Sequence, residues 1–134
     1  MSQVILYSVN GQVCICNPTG QIPIEEVLVK DCPEGAIIVD SSTLPQGSDA
    51  QFIDAWVLNG ITITVNITKA QEDYLITFNS SAVYSAGVRA TNTLAGIPNT
   101  VDDATWLANV NANRALISQA TTTEILLAIP LPTP

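Results

Sequence analysis

Residues 61–82 decide the fold, because the hydrophobic period changes within them. Ile61-Thr62-Ile63-Thr64-Val65 alternates apolar and polar residues, the mark of a strand with one buried and one wet face. Beyond Asn66, the residues Ala70, Tyr74, Phe78 and Ala82 recur at every fourth position, which stacks them on one side of a helix. Thr68-Lys69-Ala70-Gln71 has the form of a capping box, so the helix is expected to open there and run towards Ala90. Gly87 and the β-branched residues near it weaken its end.

Upstream of this switch the chain is strand-forming. Val4 to Cys16 reads as a hairpin, with Asn10-Gly11 as a type I′ turn between Val4-Ile5-Leu6-Tyr7-Ser8-Val9 and Gln12-Val13-Cys14-Ile15-Cys16. Pro23 opens a short helix through Val29, and Ala36-Ile37-Ile38-Val39 is a short apolar strand. Residues 41–50, rich in Ser, Thr, Pro, Gln and Gly, are the expected boundary. A second hairpin follows, with Phe52 to Leu58 as one strand and Asn59-Gly60 as its turn.

Downstream, Thr100-Val101-Asp102-Asp103 caps a further helix whose inner side is expected to carry Ala104, Leu107, Ala108 and Ala115. Thr121-Thr122-Thr123-Glu124 opens a short one that Pro130 stops, and the tail through Pro134 is extended. The fold class is therefore α+β: an N-terminal β-hairpin-rich small sheet followed by a helical C-terminal half. The expected division is a β-rich subdomain over residues 1–44 and a hairpin-plus-helices region over 45–134, within one compact unit overall.

Of the 134 residues, 47% are hydrophobic but only 5% aromatic, so the core rests on Val, Ile, Leu and Ala. Charged residues make up 12%, about half the share usual in soluble domains, which leaves the surface to neutral polar side chains. Such a surface suits a protein packed against partners, including further copies of itself. The net charge of −8 and the scattered positions of Lys30, Lys69, Arg89 and Arg114 argue against nucleic acid and anionic membranes. No apolar run is long enough to span a bilayer. The first residues lack the basic region and long apolar core of a signal peptide, so synthesis in the cytoplasm is expected.

The chain has no His, which removes Ser–His, Cys–His and His-ligated metal chemistry in cis. The adjacent acids Glu25/Glu26 and Asp102/Asp103 diverge by about 100° on a helix and read as helix starts. No catalytic set, cofactor motif or phosphate loop emerges, and no enzyme is expected. The three cysteines keep three readings open. Cys14 and Cys16 point to one strand face and Cys32 follows the first helix. They can be small buried hydrophobes, or Cys32 can form a disulfide with Cys14 or Cys16 and leave an odd thiol. A metal site would need a fourth ligand from a carboxylate or a second chain. Trp56 and Trp106 are candidate partner contacts, since Trp is enriched at binding hot spots, although a lone Trp in a small domain is also ordinary core. Arg89, the only charged residue between Asp73 and Asp102, joins them as a candidate partner contact.

The order of short motifs also matters. Ile38-Val39-Asp40, Leu44-Pro45, Phe52-Ile53-Asp54-Ala55-Trp56, Asn59-Gly60 with Ile63 and Val65, and Lys69-Ala70 follow in sequence. The ending runs Ala120-Thr121-Thr122-Thr123-Glu124-Ile125-Leu126 to Pro130. This order resembles a family of small tailed-bacteriophage proteins, the tail and tail fibre assembly proteins, often labelled chaperones. The resemblance implies a non-catalytic role in the tail region, with tail fibre or baseplate subunits as partners, in the host cytoplasm during assembly and then in the virion. The family's helix after the Lys-Ala pair is rich in Arg and Glu, whereas here it is Asn, Ser, Thr and Ala, which fits lasting incorporation better than transient chaperoning. A capsid decoration protein or a non-viral binding module are the alternatives.

Overall fold

Asn10 and Gly11 take φ values of 51° and 79°, the pair of positive angles that a type I′ turn demands and that Asn and Gly supply most readily. The turn closes strands β1 (Gln3–Val9) and β2 (Gln12–Cys16), paired antiparallel with Val9 opposite Gln12. Strand β3 (Ile37–Asp40) pairs antiparallel along the other edge of β1, giving the order β2-β1-β3. Residues 2–134 are described by the computed structural model, and the chain divides into two units between Asn66 and Ile67.

In the first unit, Val4, Leu6 and Val13 are buried on one face of the sheet, with Ile15, Ile37 and Val39 beside them. Against this face pack Trp56, Leu44, Leu58, Ile63 and Val65. Strand alternation sends Ile5 and Tyr7 to the opposite face, where helix α1 (Ile24–Asp31) packs on β1 and β3 and buries Val27. Glu25 and Glu26 lie in the first turn of α1, where the helix dipole favours acids.

Phe52 to Ala55, expected as strand, is instead the end of a 3-10 segment, Gly47–Ala55, kinked at Phe52. Phe52 and Ala55 are both buried. Three residues apart, they share one side of a 3-10 turn but would face opposite ways on a strand. The strand proper, β4, is Trp56–Asn59, and it pairs with β5 (Thr62–Val65), with Asn59 opposite Thr62. The two-residue loop is therefore Gly60-Ile61, one step later than the expected Asn59-Gly60. Gly60 takes φ 63° at the first loop position, where a II′ turn calls for glycine. Because this second hairpin packs on the first sheet, the boundary lies after Asn66 and not at residue 44.

The second unit is helical. Helix α2 (Ile67–Leu94) runs unbroken for 28 residues, passing through Gly87. Thr68 lies inside its first turn, so it is not the cap. The expected stripe of Ala70, Tyr74, Phe78 and Ala82 is buried, and Ser85 and Arg89 continue it. Helix α3 (Asp103–Gln119) starts at Asp102, whose carboxylate accepts from the Thr105 N–H at 2.7 Å. That bond, aided by nearby Arg89, holds the Asp102 carboxyl below its usual pKa. Bonds from Gln71 to Ala120 and from Arg114 to Asn79, with the Arg89–Asp103 pair, run α3 antiparallel to α2.

The inner side of α3 is a correction. Ala104, Leu107, Ala108 and Ala115 are exposed, while Val110 and Ile117 are buried with Trp106 and Asn113 partly covered. Apolar residues surround this helix, so spacing alone selects no face. Helix α4 (Thr123–Ala128) is capped by Thr122, one residue after the expected start, and leads into the extended tail.

Candidate functional site

The cysteines gather around Tyr7. Register places Cys14 opposite Tyr7 and Cys16 opposite Ile5 on the face that α1 covers, and Cys32 caps the end of α1. All three are free thiols, each partly exposed. The Cys32 thiol has its pKa raised by burial first and then by the neighbouring Cys16. Burial raises the Tyr7 pKa too, with smaller contributions from Cys14, Cys32 and Cys16. Spacing left Cys14 and Cys16 equal as neighbours of Cys32; the fold brings Cys16 beside it. Among the described residues, no three Cys, Asp or Glu side chains are grouped to hold one metal ion.

Two of the candidate partner contacts are interior. Trp56 is 5% exposed and its indole N–H donates to the Asp49 carbonyl at 2.8 Å. Arg89 is 3% exposed, which is rare for an arginine and requires full satisfaction of its donors. Its Nη2 donates to Asp103 Oδ1 at 2.8 Å and to the Val101 carbonyl at 2.7 Å, and its Nη1 reaches the Pro134 oxygen at 3.3 Å. The guanidinium lies 5.5 Å from the centre of the Trp106 ring, within cation–π range. Trp106 is half-buried and donates to the Thr133 carbonyl at 2.9 Å. Trp56 and Arg89 therefore serve their own units, and Trp106 is engaged by the tail.

Sequence reasoning did not foresee what the tail does. Pro130, Pro132 and Pro134 have no N–H, so this segment offers more acceptors than donors along its backbone. The helices supply donors at intervals along it: Tyr74 to the Ile129 carbonyl, Ser85 to Pro132 at 3.0 Å, Trp106 to Thr133 and Arg89 to Pro134. Burial raises the Tyr74 pKa, which keeps its hydroxyl a donor. The density of prolines beside polar residues buried on a helix was the available signal.

Two surfaces of the helical unit stay open. A groove of about 470 Å³ runs between α2 and α3, lined by Gln71, Leu75, Asn111, Arg114, Ala115 and Ser118 among others. Arg114 is fixed there by bonds to Asn79 at 3.0 Å and Asn111 at 2.8 Å. The outer side of α2 exposes Ile76 at 66%, Val83 at 75%, Tyr84 at 72% and Leu94 at 90%. No described helix is long and apolar enough to cross a membrane. No family model, curated protein or solved structure matches the chain.

Proposed function

We propose that the protein is a non-catalytic structural or assembly component of the tail region of a tailed bacteriophage, binding tail fibre or baseplate subunits. The observation that carries the binding role is the makeup of the helical unit's surface. From Tyr74 to Val101 the only charged residue is Arg89, and it is buried. The outward residues of this stretch are apolar or neutral polar. Contact through them costs little desolvation of charge and is weakly sensitive to salt. The α2–α3 groove adds a concave seat with a single fixed guanidinium for a backbone or side-chain acceptor. The phage assignment is supported by the order of motifs from Ile38 to Lys69 and by the ending after Ala120. The protein is made in the host cytoplasm and stays in the particle.

Quantitative mass spectrometry of purified particles tests this. A fixed copy number in tailed particles is expected. Absence from particles despite expression in infected cells would convert the reading to a chaperone, and recovery with tailless heads would replace it by a head decoration protein.

A further inference from the structure

The exposed side of α2 enters the proposed function only as a charge-poor surface, yet its residues also follow an order that the fold does not use. Ile76, Ser80, Val83, Gly87, Ala90 and Leu94 are separated by alternating steps of four and three, the spacing of a coiled-coil seam. All six are exposed, and together they form the side of the helix opposite the buried Phe78, Ser85 and Arg89. At about 1.5 Å per residue the seam is about 27 Å long. Its flanking positions, Thr77, Asn79, Tyr84, Ala86, Thr91 and Thr93, are uncharged as well.

Gly87 is the informative member. A glycine inside a helix is destabilising relative to alanine, and here a Cβ would meet nothing within 4 Å. No packing within this chain asks for glycine at that point. A second backbone approaching closely does. Ser80 is already prepared for a dry contact, because its hydroxyl donates to the Ile76 carbonyl at 3.0 Å.

We infer that α2 pairs along this seam with α2 of a second copy, antiparallel, about a two-fold axis level with residue 85. Position numbers across such a pair sum to a constant, so Ile76 lies level with Leu94, Ser80 with Ala90 and Val83 with Gly87. Each Val83 enters the gap left by the partner's Gly87, twice by symmetry, as an isologous interface requires. A parallel pair would instead set Gly87 on Gly87 and Ser80 on Ser80, leaving voids at the middle of the seam.

Charge selects the same direction. With a net charge of −8, two copies repel in general, so the contact must avoid acids. Parallel pairing brings Glu72 and Asp73 against their own copies. Antiparallel pairing carries them past the partner's last helical residue, Leu94, and away from the partner's own Glu72 and Asp73, and it opposes the two helix dipoles. The inference is independent of the phage reading and stands or falls without it.

Sedimentation equilibrium of the full chain tests it. The chain is expected to dimerise below about 100 μM, a modest affinity for a single helix pair. Val83→Glu, at a position open to solvent, is expected to weaken the dimer about a hundredfold or more while leaving the circular dichroism of the monomer unchanged. Gly87→Leu separates the contact from folding: it is expected to raise the thermal midpoint of the monomer yet weaken the dimer about tenfold or more. Direction is read by a benzophenone side chain at position 76 in a mixture of isotope-labelled and unlabelled chains. Cross-links to the segment around Leu94 of the other chain are expected. A chain that stays monomeric at about 100 μM, a dimer indifferent to Val83→Glu, or cross-links joining position 76 to position 76 would each overturn the inference.

Discussion

The two units are closed by different kinds of bond. In the first, backbone ladders join β1 to β2 and β3, and an aliphatic layer from both hairpins seals one face. In the second, the middle of the structure is polar: Tyr74, Ser85, Arg89 and Trp106 bind main-chain oxygens of the tail. A sheet satisfies its own backbone, so its core can be wholly apolar. A proline-rich strap offers more backbone acceptors than donors, so the helices beneath it bring donors into their core. Among the described residues the one buried charge, Arg89, is thus placed where several acceptors converge.

Breaking the aliphatic layer should have the largest effect. Leu6→Ala deletes a side chain that is 1% exposed, and a loss of about 3–4 kcal/mol is expected in the first unit, read by denaturant titration. Each unit holds one tryptophan, so Trp106→Phe leaves Trp56 as a reporter of the first unit and Trp56→Phe leaves Trp106 for the second. The Leu6 variant should shift the Trp56 signal; an equal shift at Trp106 would show that the units do not unfold separately.

Next in size is Arg89→Met, which keeps much of the volume but strips the donors from Val101, Asp103 and Pro134. A loss of about 2–3 kcal/mol is expected, confined to the Trp106 signal. A neutral result would mean the strap is held by packing alone. Tyr74→Phe removes one donor and leaves the Ile129 carbonyl without it, for a loss of about 1 kcal/mol. The folded pKa of Tyr74 is raised, so its contribution is complete below about pH 10 and fades as pH rises through the folded value. Alkaline titration of the helical unit should therefore be shallower in the Phe variant.

The smallest effect is at the caps, one in each unit. Asp40 accepts from the Ser42 N–H at 2.9 Å and Asp102 from Thr105, and both folded pKa values are lowered. Their stabilisation is present above the ordinary carboxylate range and is lost as pH falls through the lowered values. Asp40→Asn and Asp102→Asn should each flatten the acid limb of one unit's melting curve only, which differential scanning calorimetry across pH 2–6 would resolve.

Much of the first unit was legible in the chain. Asn10-Gly11 dictates its own turn, and the alternation of Ile63 and Val65 reports the inward face of β5. The four-residue recurrence from Ala70 to Ala82 likewise marks the buried side of α2. Elsewhere, periodicity misleads. Phe52 and Ala55 lie in an apolar run that suits a strand, yet the need to bury both on one side curls them into a 3-10 turn. In α3, apolar residues on every side conceal that Val110 and Ile117 are the inner pair. Tyr74, Ser85 and Arg89 lie on that same stripe, but the period marks only the side they face; the tail oxygens they hold lie 45 to 55 residues along the chain and leave no local signal. For the same reason Trp56 and Arg89 read as surface contacts until their partners, Asp49 and Asp103, are seen.

The tail also orders events during synthesis. All strand pairings of the first unit lie within residues 3–65, so they can form as soon as that stretch leaves the ribosome. Arg89, by contrast, meets the Pro134 oxygen across 45 residues of later chain, and Tyr74 meets Ile129 across 55. Until those residues emerge, the donors of α2 that face the tail lack its oxygens, and that side of the helix stays open. A nascent chain paused between residues 95 and 129 would present a finished sheet tethered to an unclosed helix. In that interval the protein is most exposed to a chaperone or to mispairing.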